Sequence, residues 1–266
     1  MALISFLTDF GLKDGNVGVM KAVIWAIEPE VRIVDLSHLI TPQNVQEAAL
    51  ILARSVPYFE DGAIHVVVVD PGVGTTRRPL AARLGYQYYV TPDNGVLTLV
   101  LESAEKQNWP VQIIHLDKPE FWLPRISHVF HGRDIFAPVA AHLASGISLD
   151  QLGTIITNPV RISFPRPTRT PTGFTAEIVH IDHFGNISTS VRREDLGEST
   201  QVLIRLGNSE IRGLVRTFGD RPSGTLVALY GSTDYLLVCQ VNGHAASTLG
   251  VQVGDPVEIL VSSAPA

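Results

Sequence analysis

Residues 64–69 read Ile-His-Val-Val-Val-Val, and this run constrains the fold more than any other stretch of the chain. It does not alternate, so it has no polar face to turn toward water. Such a segment reads as a central strand covered on both sides, as in a parallel sheet with helices on both faces. The neighbouring sequence supplies the other parts. Short apolar runs at 3–7, 31–36, 80–84 and 88–90 are further strands. Residues 16–27 have helical spacing and are closed by Pro29, and residues 42–54 place Val45, Ala48, Ala49 and Leu52 on one face. Residues 95–103 and 135–145 are also helical, the latter ended by Gly146. Strand then helix, repeated, predicts an α/β sandwich domain over residues 1–160 with a largely parallel sheet.

The pattern changes after residue 160. Residues 163–173 carry Pro165, Pro167 and Pro171, too many for a helix, and a semi-rigid linker is expected over 161–173. Beyond it, short alternating runs at 174–182, 202–206, 209–215, 225–230, 235–241 and 256–261 are separated by Gly, Asn and Asp. They predict an all-β, barrel-like domain over residues 174–266. With 45% apolar and 17% charged residues the 266-residue chain can bury two cores. The net charge of −6 and the lack of a basic run argue against a nucleic-acid partner. Cys239 is the sole cysteine, which excludes an internal disulfide framework. The first residues show no basic, signal-like segment, and no apolar run approaches the ~18 residues of a membrane span, so a cytoplasmic protein is expected.

In α/β sheets, functional groups gather at the carboxyl ends of the strands. Asp9 and Asp70 stand there, each followed by a glycine-containing loop. The loop Asp70-Pro-Gly-Val-Gly-Thr-Thr-Arg-Arg78 lacks both the third glycine of a dinucleotide fingerprint and the Gly-Lys-Ser/Thr of a P-loop, so neither phosphate motif applies. It leaves an acid with an arginine seven residues on, close enough to pair as a simple structural bridge. His128, His131 and Asp134 recur at intervals of three, a spacing that raises a metal site. No second dense ligand cluster accompanies them, and Asp134 also suits the cap of the helix that follows, so no metal is expected. Asp182, Phe184 and Asn186 alternate in the β domain. They read either as a turn or as a face offering an acid, an aromatic ring and an amide to a flat ligand.

Six collinear stretches together resemble the S-adenosylmethionine hydrolase (hydroxide adenosyltransferase) family, relatives of the fluorinases and chlorinases. They are Leu7-Thr-Asp-Phe-Gly-Leu-Lys-Asp-Gly-Asn-Val-Gly-Val-Met-Lys21, Asp35-Leu-Ser-His38, Val69-Asp-Pro-Gly-Val-Gly-Thr75, Thr91-Pro-Asp-Asn-Gly95, Phe130-His-Gly-Arg-Asp-Ile-Phe-Ala-Pro138 and Ile181-Asp-His-Phe-Gly-Asn186. The resemblance implies hydrolysis of S-adenosyl-L-methionine to adenosine and methionine without a cofactor. It also implies a homotrimer, with substrate between the N-terminal domain of one subunit and the C-terminal domain of its neighbour.

By the same resemblance Asp70, Arg77 and His131 are the catalytic residues, with Arg78 and His128 as near rivals. Asp9 would take the ribose diol, and Asp14 and Asn16 would lie near the methionine end. Asp182 would bind the methionine ammonium, Asn186 would read the adenine edge, Phe184 and Phe218 would stack on its faces, and Ser232 would contact methionine. The halogenating relatives place Thr or Tyr types where this chain has Asp70 and His131, so halogenation is the nearest alternative activity. A non-catalytic module that binds adenosine or S-adenosylmethionine would use the same binding residues but leave Asp70, Arg77 and His131 without a purpose.

Overall fold

The computed structural model describes residues 2–197 and 201–261. The chain divides into two compact units, with the boundary between Ile162 and Ser163.

The first unit is built on a seven-stranded mixed sheet. In chain order the strands are β1 (Leu3–Thr8), β2 (Arg32–Ser37), β3 (Ile64–Val68), β4 (Pro79–Leu84), β5 (Gln87–Pro92), β6 (Val111–His115) and β7 (Thr154–Ile156). Their spatial order is β2-β1-β3-β5-β4-β6-β7. The first four of these run parallel, and β4, β6 and β7 extend the sheet antiparallel. All five residues of β3 are buried, as its unbroken apolar run requires. The helices are α1 (Asn16–Ile27), α2 (Val45–Ser55), α3 (Thr98–Lys106) and α4 (Ala137–Ala144).

Alternate residues of one sheet face, Ile4, Phe6, Val66 and Val68, join Met20 and Ile24 of α1 and Val139 and Ala140 of α4 in a single core. Ser5 and His65 alternate with that core set. Ser5 Oγ lies 2.6 Å from His65 Nδ1, and His65 Nε2 faces Gln87 Oε1 at 3.3 Å. The expected helix at 135–145 begins instead as a π-helical turn, Gly132–Phe136, and becomes α-helical at Ala137. Asp134 is therefore not its cap. It is fully buried, accepting from the Ser127 N–H at 2.7 Å and pairing with Arg133.

The second unit is a nearly closed antiparallel barrel. Its strands are β8 (Thr168–Thr170), β9 (Gly173–Ile181), β10 (Ile187–Arg192), β11 (Val202–Leu206), β12 (Ser209–Arg212), β13 (Leu226–Tyr230), β14 (Tyr235–Gln240) and β15 (Pro256–Val261). They run in the order β12-β11-β15-β9-β10-β14-β13, with β8 paired to β9. Just beyond β12, the Val215 N–H donates to the Ala228 carbonyl of β13 at 2.9 Å, which brings the two ends of the sheet together. Two short helices, α5 (Arg193–Leu196) and α6 (Ala245–Leu249), complete the unit. Cys239 is buried on β14 in a small cluster with Val227, Leu229 and Val241, and burial pushes its thiol pKa up to about 12.

Candidate active site

Strands β1 and β3 are parallel neighbours with Thr8 opposite Val68. That register brings Asp9 and Asp70 to the same sheet edge, where parallel strands deliver functional groups. The loop from Asp70 turns back through Gly72 and Thr75. The Thr75 hydroxyl donates to the Gly72 carbonyl at 2.7 Å and accepts the Arg77 N–H at 3.3 Å. Gly74 has φ +77°, and a Cβ there would stand 2.3 Å from the His128 carbonyl oxygen. Only glycine lets this loop seat against the segment that carries His131.

The result is a contiguous trio. Arg77 Nε donates to both Asp70 carboxylate oxygens at 3.0 and 2.9 Å, and Arg77 Nη2 also pairs with Oδ2. The same Nη2 lies 2.8 Å from His131 Nδ1. A guanidinium only donates, so Nδ1 is the acceptor and the neutral ring carries its hydrogen on Nε2. Burial, and then the Arg77 charge, lower the His131 pKa below the usual imidazole value, against the opposing pull of Asp70 and Asp134. The Asp70 and Arg77 side chains are only 5% and 8% exposed. Arg77 Nη1 is buried with no hydrogen-bond partner.

The rival residues go elsewhere. Arg78 donates to Asp93 at 2.8 Å and holds both the side chain and the backbone carbonyl of Asn158. His128 is exposed, and Asp134 is engaged with Arg133 and Ser127. Among the described residues no group of three His, Cys, Asp or Glu side chains is arranged to hold a metal ion.

Asp9 is half-buried and accepts the Gln43 N–H at 2.7 Å, which holds Gln43 in the left-handed region at φ 66°. The Thr8 hydroxyl, 2.9 Å from His38 Nδ1, accepts the Phe10 N–H, and the Gly11 N–H donates to the His38 carbonyl. The turn bearing Asp9 is thus pinned on both sides. Asp14 and Asn16 are exposed at the start of α1.

In the second unit, Phe184, Asn186, Phe218, Gln240, Asn242 and His244 line a cleft of about 600 Å³. Phe184 is 72% and Phe218 43% exposed, so two large rings stand open at one place. Asp182 does not present a free carboxylate. Its Oδ1 accepts the N–H groups of Phe184 and Asn186 and its Oδ2 accepts Asn186 Nδ2, all at 2.9 Å. Three of a carboxylate's roughly four acceptor positions are therefore filled. Gly185, at φ +80°, packs so closely on the His244 ring that a Cβ would stand 2.2 Å from it. His244 Nδ1 accepts the Ser247 N–H at 3.1 Å, leaving Nε2 as the donor. Ser232 lies in the β13–β14 turn, at the opposite end of β14 from Gln240 and the cleft.

Sequence reasoning missed Gln43 and His244. Neither stands in a chemically suggestive pattern, and only an Asn-Gly pair before His244 marks a turn there.

Residues 4–153 match the SAM hydroxide adenosyltransferase N-terminal domain, and residues 176–258 match the SAM hydroxide adenosyltransferase C-terminal domain. The (R)-S-adenosyl-L-methionine hydrolase of Salinispora arenicola (strain CNS-205) is 39% identical to the chain, across 96% of this chain and 97% of the relative. The protein of the same description from Thermus thermophilus is also 39% identical, across 98% of this chain and 100% of its own. A crystal structure of a conserved protein from Thermotoga maritima superposes with a TM-score of 0.89 at 36% identity, covering 97% of this chain and 99% of that one. The chain belongs to the SAM hydroxide adenosyltransferase family.

Proposed function

We propose that the chain hydrolyses S-adenosyl-L-methionine to adenosine and L-methionine by in-line attack of water on the ribose 5′ carbon. The observation that carries this reading is Arg77, buried between Asp70 and His131 with Nη1 unpartnered, in a chain that matches hydrolases of this description along its whole length.

The chemistry suits these groups. The new bond joins the water oxygen to C5′. The C5′–S bond breaks, and its electron pair stays on sulfur as a neutral thioether, so the leaving group needs no acid. The difficulty lies with the nucleophile, because bulk water has a pKa of about 15.7. Asp70 accepts the water proton as the attack develops. Arg77 cannot act as a base; it aims Asp70 and holds a positive charge beside the attacking oxygen. His131 Nδ1 is occupied by Arg77, so the imidazole anchors the guanidinium and has Nε2–H left to donate. A halide in place of water would approach the Asp70 carboxylate and be repelled, which favours hydrolysis over halogenation.

In this proposal Asp9 binds the ribose diol, and Asp14 and Asn16 meet the methionine end. Phe184 and Phe218 stack on the base while Asn186 reads its edge. Ser232 meets the far, amino-acid end of an extended substrate. The assembly we propose is a cytoplasmic homotrimer, with substrate between the N-terminal unit of one subunit and the C-terminal unit of the next. The described helices offer no segment long and apolar enough to cross a membrane.

Turnover in oxygen-18 water tests the reaction. The label is expected in the 5′ hydroxyl of adenosine. Adenosine that accumulates without label would refute attack by water at carbon.

A further inference from the structure

The stretch Asp35-Leu-Ser-His38 plays no part in the chemistry above, yet its side chains lead in contact to the turn that carries Asp9. Strand β2 pairs with β1 in register as far as Phe6 and Asp35, and then Leu7 meets Ser37, so Leu36 is an extra residue. This bulge advances β2 by one position and sets His38, rather than Ser37, beside Thr8. Both side chains are buried there, Thr8 completely. His38 Nδ1 lies 2.9 Å from the Thr8 hydroxyl, and Nε2 lies 3.0 Å from Asp35 Oδ1. The second contact is electrostatic rather than an aligned hydrogen bond. A carboxylate oxygen so close would repel a bare ring nitrogen, so Nε2 carries the hydrogen, and in the neutral ring Nδ1 accepts from Thr8. Lys21 of α1 donates to Asp35 Oδ2 at 2.6 Å and holds that carboxylate in place. At the other end the Thr8 oxygen accepts the Phe10 N–H at 3.3 Å, while the His38 carbonyl accepts the Gly11 N–H at 2.7 Å. His38 therefore holds the backbone just after Asp9 twice, through its ring and through its own carbonyl. The Gln43 N–H holds the Asp9 carboxylate itself.

We propose that His38 is a positioning residue for recognition of the ribose diol. Backed by Asp35 and Lys21, and acting through Thr8, it fixes the turn so that the Asp9 carboxylate meets both hydroxyls at once. The inference rests on the functional reading above, in which Asp9 binds the diol. Two vicinal hydroxyls need a carboxylate placed to within about 0.5 Å, because a turn that yields keeps one hydrogen bond and loses the other. One hydrogen bond to a charged group corresponds to about 10- to 100-fold in affinity. None of Thr8, Lys21, Asp35 and His38 is assigned to the base or to the methionine end, so their effect is confined to the diol.

The test is calorimetric binding of adenosine and 2′,3′-dideoxyadenosine to the full chain and to three variants. Thr8→Val keeps the shape of the side chain and removes its hydroxyl, Thr8→Ser keeps the hydroxyl, and His38→Leu removes the ring nitrogens. The parent is expected to favour adenosine by about 10-fold or more. In Thr8→Val and in His38→Leu that preference should fall by about 10-fold, through weaker adenosine binding, with 2′,3′-dideoxyadenosine bound as in the parent. Thr8→Ser should keep the parent's preference. In an Asp9→Asn background, Thr8→Val should leave the ratio where Asp9→Asn alone puts it, because both changes act on one contact. A folded Thr8→Val or His38→Leu protein that keeps the parent's ratio, or that weakens both nucleosides alike, overturns the inference and leaves the hydrolase reading standing. If neither variant folds, the network holds the fold rather than Asp9, and the inference fails. A parent protein that binds the two nucleosides alike, or neither, refutes the assignment of the diol to Asp9 and this inference with it.

Discussion

Arg77 and Arg78 are adjacent in the chain yet serve different carboxylates, Asp70 and Asp93. Spacing alone allowed either to reach Asp70, and the choice became visible only when β4 began at Pro79 and sent the two side chains apart. Asp9 and Asp70 were legible as candidates because they follow strands whose apolar runs are plain, whereas Arg77 was singled out only by the family resemblance. The orientation of His131 was not, since a sequence does not say which ring nitrogen a distant arginine will occupy. Asp70→Asn keeps the size of the side chain and removes its charge. Loss of a general base costs ~10²–10⁴ in rate, so kcat should fall by that much while substrate binding stays measurable by calorimetry. A variant turning over at the parent rate would leave Asp70 a structural partner of Arg77. His131 supplies a pH prediction. Its proton affinity is lowered, and protonation of Nδ1 would abolish the bond from Arg77. Activity should therefore persist below pH 6.5, with an acid limb in kcat/KM lying under the ordinary histidine value, and His131→Asn should remove that limb.

Strand β10 went unread because its sequence, Ile-Ser-Thr-Ser-Val-Arg, has no apolar alternation. Ser188, Thr189 and Ser190 are nevertheless buried, and two of their hydroxyls are matched to backbone: Thr189 Oγ1 donates to the Leu236 carbonyl, and Ser190 Oγ accepts the Glu177 N–H. Small hydroxyl residues can fill the middle of a barrel when they find such partners, and a hydropathy pattern does not register this. The central strand β3 shows the opposite case, legible throughout yet carrying one polar residue inside. His65 is fully buried, and desolvation lowers its pKa to about 4. The unfolded chain takes up a proton near pH 6.5 and the folded chain only near 4. The stabilisation is complete above pH 6.5 and is lost as pH falls toward 4, by about 3 kcal/mol. Urea unfolding of the parent and of His65→Gln between pH 7.5 and 4 should show this slope in the parent and its absence in the variant. Equal slopes would mean that other groups set the acid sensitivity.

At the scale of the whole molecule, the change from strand–helix alternation to short strands alone announced two folds in one chain, and both are present. The assembly proposed above makes its own prediction. Asp70→Ala subunits and Asn186→Ala subunits, each inactive or nearly so, should recover activity when unfolded, mixed and refolded together, because some shared sites inherit two intact halves. No recovery, or full activity in a particle sedimenting as a monomer, would refute shared sites. The buried Cys239 makes such experiments direct. With its pKa near 12, only about one thiol in ten thousand is ionised at pH 8, and the sulfur is also closed off from solvent. A maleimide dye would therefore pass over the native sulfur and mark a single cysteine introduced on the surface. The natural sequence is in effect already a labelling background, in which donor- and acceptor-tagged subunits can report exchange between assemblies as it happens.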